Sequence, residues 1–137
     1  MLKLDSKELI KMKWISTIKG IGKKAVDTKD GMVILFGVGA DKDLADVSVI
    51  QKFNTSTPVS SFVFKKGDTV TIDGQTYVAN YVGPMVASNM KALGHATFFF
   101  KRSLPKAPLA NAVYFDSDSK QPLPSFGVDD DIVYEHI

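Results

Sequence analysis

Cysteine is absent from this chain. That excludes disulfides, thiol nucleophiles and cysteine-ligated metals, and it fits a reducing compartment. Arginine is nearly absent: Arg102 is the single arginine among 17 basic residues. Nucleic-acid binders and phosphate clamps draw on the planar, bidentate guanidinium, so a lysine-dominated composition argues against both. The net charge of +2 is too small to imply a polyanionic partner. Histidine is scarce as well, with only His95 and His136, which confines imidazole chemistry to two places. No apolar run approaches the roughly 20 residues of a membrane-spanning helix. Lys3, Lys7, Lys11 and Lys13 break up every apolar run near the N-terminus, unlike a signal peptide. The expectation is a cytoplasmic protein without direct membrane insertion, and with no nucleic-acid partner.

What is present is a pattern of short strands. At 137 residues the chain makes one ordinary domain, long enough to bury a core. Ile15 to Ile18 is a β-branched run ended by Gly20 and Gly22. Met32 to Phe36 is a continuous apolar run between Gly31 and Gly37, as a buried strand would be. Val47 to Ile50, Ser61 to Phe64, Ala96 to Lys101 and Ala112 to Phe115 are further candidates. Thr69 to Ile72 and Thr76 to Val82 flank Asp73-Gly74. An Asp-Gly pair between β-branched runs predicts a tight hairpin, because a type I′ turn needs positive φ at both central residues.

Helix signals are few. Ser6 to Met12 allows one or two turns, with Asp5 or Ser6 as cap. Ser88 to Leu93 is stronger, with Ser88 as cap and Gly94 as stop. The sum is an all-β fold, a single small barrel or sandwich with one or two short helices. Residues 1–13 look like an N-terminal extension of this domain. Residues 118–137 look like an acidic tail, marked by Asp129-Asp130-Asp131, with His136 expected to fray.

Two segments resemble a known family. Tyr77-Val78-Ala79-Asn80-Tyr81-Val82-Gly83 and the stretch from Asn89-Met90-Lys91-Ala92-Leu93-Gly94-His95 to Phe100 resemble the sorbitol/glucitol-specific IIA component of the bacterial phosphoenolpyruvate-dependent sugar phosphotransferase system. In that family a valine-rich strand leads to a Val-Gly pair, then a short "N-L-x-E-L-G-H" turn of helix and another strand. The resemblance runs from about Trp14 to about Ser117 and takes in Ile18, Gly22, Asp43-Leu44 and Gly67-Asp68. It implies a β-rich phosphocarrier of the cytoplasm. Such a protein takes phosphate from the histidine-containing phosphocarrier protein and passes it to the IIB/IIC sugar permease components. No cofactor and no tightly bound metal is implied.

The same resemblance exposes a departure. The family places its phosphorylated histidine in a "V-I-H-x-H" segment, and the matching residues here are Val49-Ile50-Gln51-Lys52-Phe53. A glutamine amide nitrogen has a delocalised lone pair and cannot accept phosphate, whereas a neutral imidazole nitrogen can. No histidine lies between Gln51 and Lys65, so a shift of register does not restore one. The resemblance makes Gln51 the equivalent of the phosphorylated residue, expected to be inactive but exposed in or beside a concavity that a partner can reach; its bland alternative is an ordinary polar residue at a strand end. His95 is the fallback acceptor. Its bland alternative is a structural histidine after a helix stop, bonded to nearby backbone, and the family carries a histidine there too.

Other motifs carry less. Gly20-Ile21-Gly22-Lys23-Lys24-Ala25 imitates a dinucleotide fingerprint, but Asp27, Thr28, Asp30 and Gly31 leave no room for its helix. Asp116-Ser117-Asp118 and Asp129 to Asp131 do not have the spacing of a calcium loop and read as solvated charge. Three functions compete: a working IIA phosphocarrier, a non-phosphorylatable docking or regulatory relative, and a small β-barrel binding protein related by fold alone.

Overall fold

The computed structural model describes residues 11–26, 31–116 and 120–137. Eight strands dominate: β1 (Met12–Ile21), β2 (Met32–Gly37), β3 (Ser48–Phe53), β4 (Thr69–Ile72), β5 (Gln75–Val82), β6 (Ala96–Phe99), β7 (Ala112–Phe115) and β8 (Asp131–His136). They close into a barrel in the order β1-β3-β2-β6-β7-β5-β4-β8, so the all-β barrel is what the chain forms. Neighbours are antiparallel except β2 with β3 and β6 with β7. Among the described residues two α-helices are added: α1 (Lys42–Asp46) on the crossover between the parallel β2 and β3, and α2 (Val86–Leu93) before β6.

The period-2 alternation of a strand decides what lies inside. Trp14, Ser16 and Ile18 point inward from β1, Val49 and Gln51 from β3, and Ile132 and Tyr134 from β8; all are buried. An eight-stranded barrel is narrow enough for side chains to fill it. Here the filling is aromatic at one end, where Tyr134 packs on Phe53, Phe62 and Phe64. A smaller cluster of Phe99, Ala112 and Tyr114 lies apart from this core.

Several boundaries differ from the sequence reading. The hairpin stands as expected, with Asp73 at φ 50° and Gly74 at φ 74°. Ser61 to Phe64 is not a strand: a 3₁₀ turn over Val59–Ser61 follows Pro58, and the chain then drops Phe62 and Phe64 into the barrel. Trp14 stabilises this plug, donating from Nε1 to Ser61 Oγ at 3.0 Å. α2 starts at Val86, ahead of Ser88, whose hydroxyl bonds back to the Met85 carbonyl. Gly94 ends it in the left-handed conformation. The short α1 gave no clear pattern because it buries nothing; Asp41 caps it through the Leu44 amide.

The helix expected over Ser6 to Met12 falls outside the described residues up to position 10, and Met12 belongs to β1. The acidic segment is no loose tail at its end. β8 pairs with both β1 and β4 and closes the barrel. His136 does not fray: its Nδ1 donates to Asp68 Oδ2 at 2.7 Å. Among the described residues the Lys11–Glu135 ion pair, at 2.9 Å, joins the lysine-rich start to the acidic end.

Candidate functional site around Gln51

Gln51 lies within β3, two residues before its end, and not just beyond a strand as its sequence neighbours suggested. It is also buried, 1% exposed, which corrects the expectation of an exposed side chain. Its alternation partners Val49 and Phe53 face the same way, so the amide enters the barrel. It remains on the floor of a surface concavity of about 310 Å³. The barrel thus puts a buried amide directly beneath an open hollow.

Every hydrogen-bonding position of that amide is used. Ser16 Oγ and Tyr134 OH each donate to Gln51 Oε1 at 2.7 Å. Gln51 Nε2 donates to the Gly94 carbonyl at 3.0 Å and reaches Met90 Sδ, a weak acceptor, at 3.5 Å. A carboxamide carries two N–H donors and an oxygen with two lone pairs, so the set is complete. Burial of the amide and two hydroxyls costs little only because each is satisfied. Burial raises the pKa of the Tyr134 phenol well above its ordinary value, while the bonds with Gln51 and Ser16 pull it partly back.

The wall that carries Gly94 depends on a close approach of two glycines. A Cβ on Gly37 would stand 2.6 Å from the Leu93 carbonyl oxygen, and one on Gly94 would stand 3.0 Å from Gly37. Backbone meets backbone there, and Gly94 also takes a positive φ of 63° that side chains resist. That contact aims the Gly94 carbonyl at Gln51.

The rim is cationic and apolar. Lys52 and Lys91 line the concavity, as do Phe36, Phe53 and Val59, and no acidic residue among the described residues lines it. Val38 and Leu93 on the rim are 62% and 48% exposed. Phe53 belongs to the aromatic packing around Tyr134 and Phe62.

His95 is not brought together with Gln51. Its Nδ1 bonds the Leu35 carbonyl at 2.9 Å, and its ring lies 4.6 Å from that of Phe36. A carbonyl can only accept, so Nδ1 carries the hydrogen and a neutral ring keeps its lone pair at Nε2. The backbone bond is the one the structural reading anticipates. Ser16, Tyr134, Lys52 and Lys91 were missed as site residues. Alternation from Trp14 and Ile132 was the signal that could have turned Ser16 and Tyr134 inward; the two lysines carried none.

Among the described residues no group of three or more His, Cys, Asp or Glu is placed to hold a metal ion. No helix among them is long and apolar enough to cross a membrane.

The family model described as "PTS system glucitol/sorbitol-specific IIA component" matches residues 13–133. A solved structure titled "The Crystal Structure of PTS System IIA Component from Enterococcus faecalis V583" superposes with a TM-score of 0.76 at 28% identity, covering 86% of this chain and 96% of that one. No curated protein matches the chain in sequence.

Proposed function

The chain belongs to the glucitol/sorbitol-specific IIA family of the phosphotransferase system, and we propose that it docks on the partners of that system in the cytoplasm without carrying phosphate at residue 51. In this reading Gln51 stands where the family's phosphorylated histidine stands. The observation that carries it is the saturated amide: both N–H groups and the oxygen of Gln51 are engaged inside the barrel. The group has no free nucleophilic lone pair to offer. The hollow above it nevertheless keeps a shape, two lysines and exposed apolar side chains for a partner to meet. The partners are the histidine-containing phosphocarrier protein and the IIB/IIC components, and the role is regulatory or scaffolding.

One observation favours a second reading, in which phosphate is still relayed through a relocated acceptor. The Leu35 bond leaves the His95 lone pair on Nε2, on a ring that packs beside the concavity through Phe36. A phosphoryl group moving from a carrier imidazole would form its new bond at that nitrogen.

The test is incubation with phosphoenolpyruvate, the general phosphotransferase enzyme and the histidine carrier, then intact mass under alkaline conditions, which spare phosphohistidine. The docking reading expects no stoichiometric adduct, together with measurable carrier binding. An adduct that disappears in His95→Ala establishes the relay reading. Absence of both adduct and binding removes both.

A further inference from the structure

We propose that a second cleft, lined by Lys65, Lys66, Asn80 and Tyr81 and remote in function from the Gln51 hollow, binds a small phosphate monoester with a hydroxylated body. The cleft has a volume of about 410 Å³, enough for a sugar-sized ligand. Two lysines line it and, among the described residues, no acidic residue does. Among the described residues Lys11 pairs with Glu135 and Lys23 with Asp46. Lys65 and Lys66 form no ion pair among the described residues, and the Asn80 amide and the Tyr81 hydroxyl form no hydrogen bond among them.

The nearest acid in sequence does not neutralise this charge. Asp68 is buried, and its carboxylate accepts from the Lys65 amide, from His136 Nδ1 and from the Ile137 amide. Its negative charge is committed to the interior, and the lysine ammonium groups are left for solvent or ligand. The turn that holds them is fixed. Asp68 N bonds the Lys65 carbonyl, and Gly67 N and Asp68 O bond either side of Ala79 on β5. Lys65 and Lys66 are thereby held beside Asn80, the next residue of β5.

The ligand class follows from these groups. A phosphate monoester dianion suits two ammonium donors, and charge-assisted bonds of this kind are the strong ones. Lysine serves phosphate as a point charge without the geometry of arginine, so the contact tolerates varied esters. The amide and the phenol add donors and acceptors for hydroxyl groups on the body of the ligand. Binding is reversible and involves no covalent step. It goes beyond the docking role and uses other residues, so either can fail alone.

The experiment is an amide chemical-shift titration of the full-length, isotopically labelled chain with a hexitol 6-phosphate, with inorganic phosphate and the unphosphorylated hexitol in parallel. The expected result is saturable shifts confined to residues 64–67 and 80–83, with the two parallel ligands at least about tenfold weaker. The double variant Lys65→Ala, Lys66→Ala should raise the Kd at least about tenfold and leave the remaining spectrum unchanged. Lys52→Ala, Lys91→Ala should leave binding intact. No saturable shift below ~10 mM overturns the proposal. So does inorganic phosphate binding as tightly as the ester, or shifts spread equally over Lys52 and Lys91, which would mark general attraction to lysine.

Discussion

The Tyr134 hydroxyl donates to Gln51 Oε1 across 2.7 Å in the buried interior of the barrel. Burial is the larger influence on this phenol and holds it protonated to higher pH than in the unfolded chain. The native state therefore keeps a proton that the unfolded state gives up above about pH 10. Stability from this source is complete below the unfolded value and falls as pH rises from there toward the folded one. Urea unfolding of the wild type and Tyr134→Phe from neutral to alkaline pH should show this. The variant should be about 1 kcal/mol less stable at neutral pH through the lost bond. It should also decline less steeply above about pH 10. Parallel curves would refute the assignment.

Gln51→Leu conserves much of the side-chain volume and removes all the polarity. It leaves the Ser16 and Tyr134 hydroxyls and the Gly94 carbonyl without their partner in or beside the core. Unsatisfied buried groups cost about 1–3 kcal/mol each, softened where water can enter from the hollow. A loss of roughly 2–4 kcal/mol in chemical unfolding is expected. A neutral or stabilising result would mean that the amide is not held as described.

Gly37→Ala should separate two close backbones. The new methyl would stand 2.6 Å from the Leu93 carbonyl, well inside contact distance, and that oxygen is not the movable tip of a side chain. The strand or the helix end must shift, at a cost of about 1–3 kcal/mol. Because Gly94 follows Leu93, the shift should also weaken the Gln51–Gly94 bond. Faster hydrogen exchange at the end of α2 would report it; unaltered exchange and stability would count against the tight packing.

The barrel was legible where one local signal sufficed. Asp73-Gly74 set a turn by backbone conformation alone, and Gly94 stopped a helix for the same reason. Phe62 and Phe64 misled, because an alternating aromatic pair looks like a strand whether it pairs in a sheet or plugs a barrel. The acidic stretch hid β8, since Asp129 and Asp130 precede the strand and dominate the local composition, while Ile132 and Tyr134 alone carry its inward face. The burial of Gln51 could not be read from its neighbours. Its partners Ser16, Tyr134 and Gly94 come from β1, β8 and the end of α2, and only the closed barrel joins them.

Asp68→Asn tests the bond network at the other end of β8. The native carboxylate accepts three donors: the Lys65 amide, His136 Nδ1 and the Ile137 amide. An asparagine has one acceptor oxygen, and its NH₂ would face donors it cannot serve. The residue is buried, so water does not readily repair the mismatch. A destabilisation of about 1–3 kcal/mol is expected. Exchange protection should fall at Glu135 to Ile137 before it falls in β3. Uniform loss throughout the barrel would show that this end is no separate latch.

Gln51→His tests the proposal that residue 51 stands at the family's phosphoacceptor position. The surroundings allow an imidazole two opposed orientations. In one, a ring N–H donates to the Gly94 carbonyl and the lone pair turns toward the Ser16 and Tyr134 hydroxyls. In the other, the inner nitrogen donates to those oxygens, whose own hydrogens can rotate away, and the lone pair faces the hollow. Only the second can attack phosphorus, so partial phosphorylation is expected from the phosphoenolpyruvate-driven carrier system, read by intact mass under alkaline conditions. Phe53 offers no hydrogen bond to the transferred group, being committed to packing on Tyr134 and Phe62. Adding Phe53→His should raise the phosphorylated fraction while lowering stability through the lost aromatic contacts. Stoichiometric transfer to Gln51→His alone would show that position 53 is dispensable. No transfer to either variant, in folded protein that still binds the carrier, would count against residue 51 as the acceptor position.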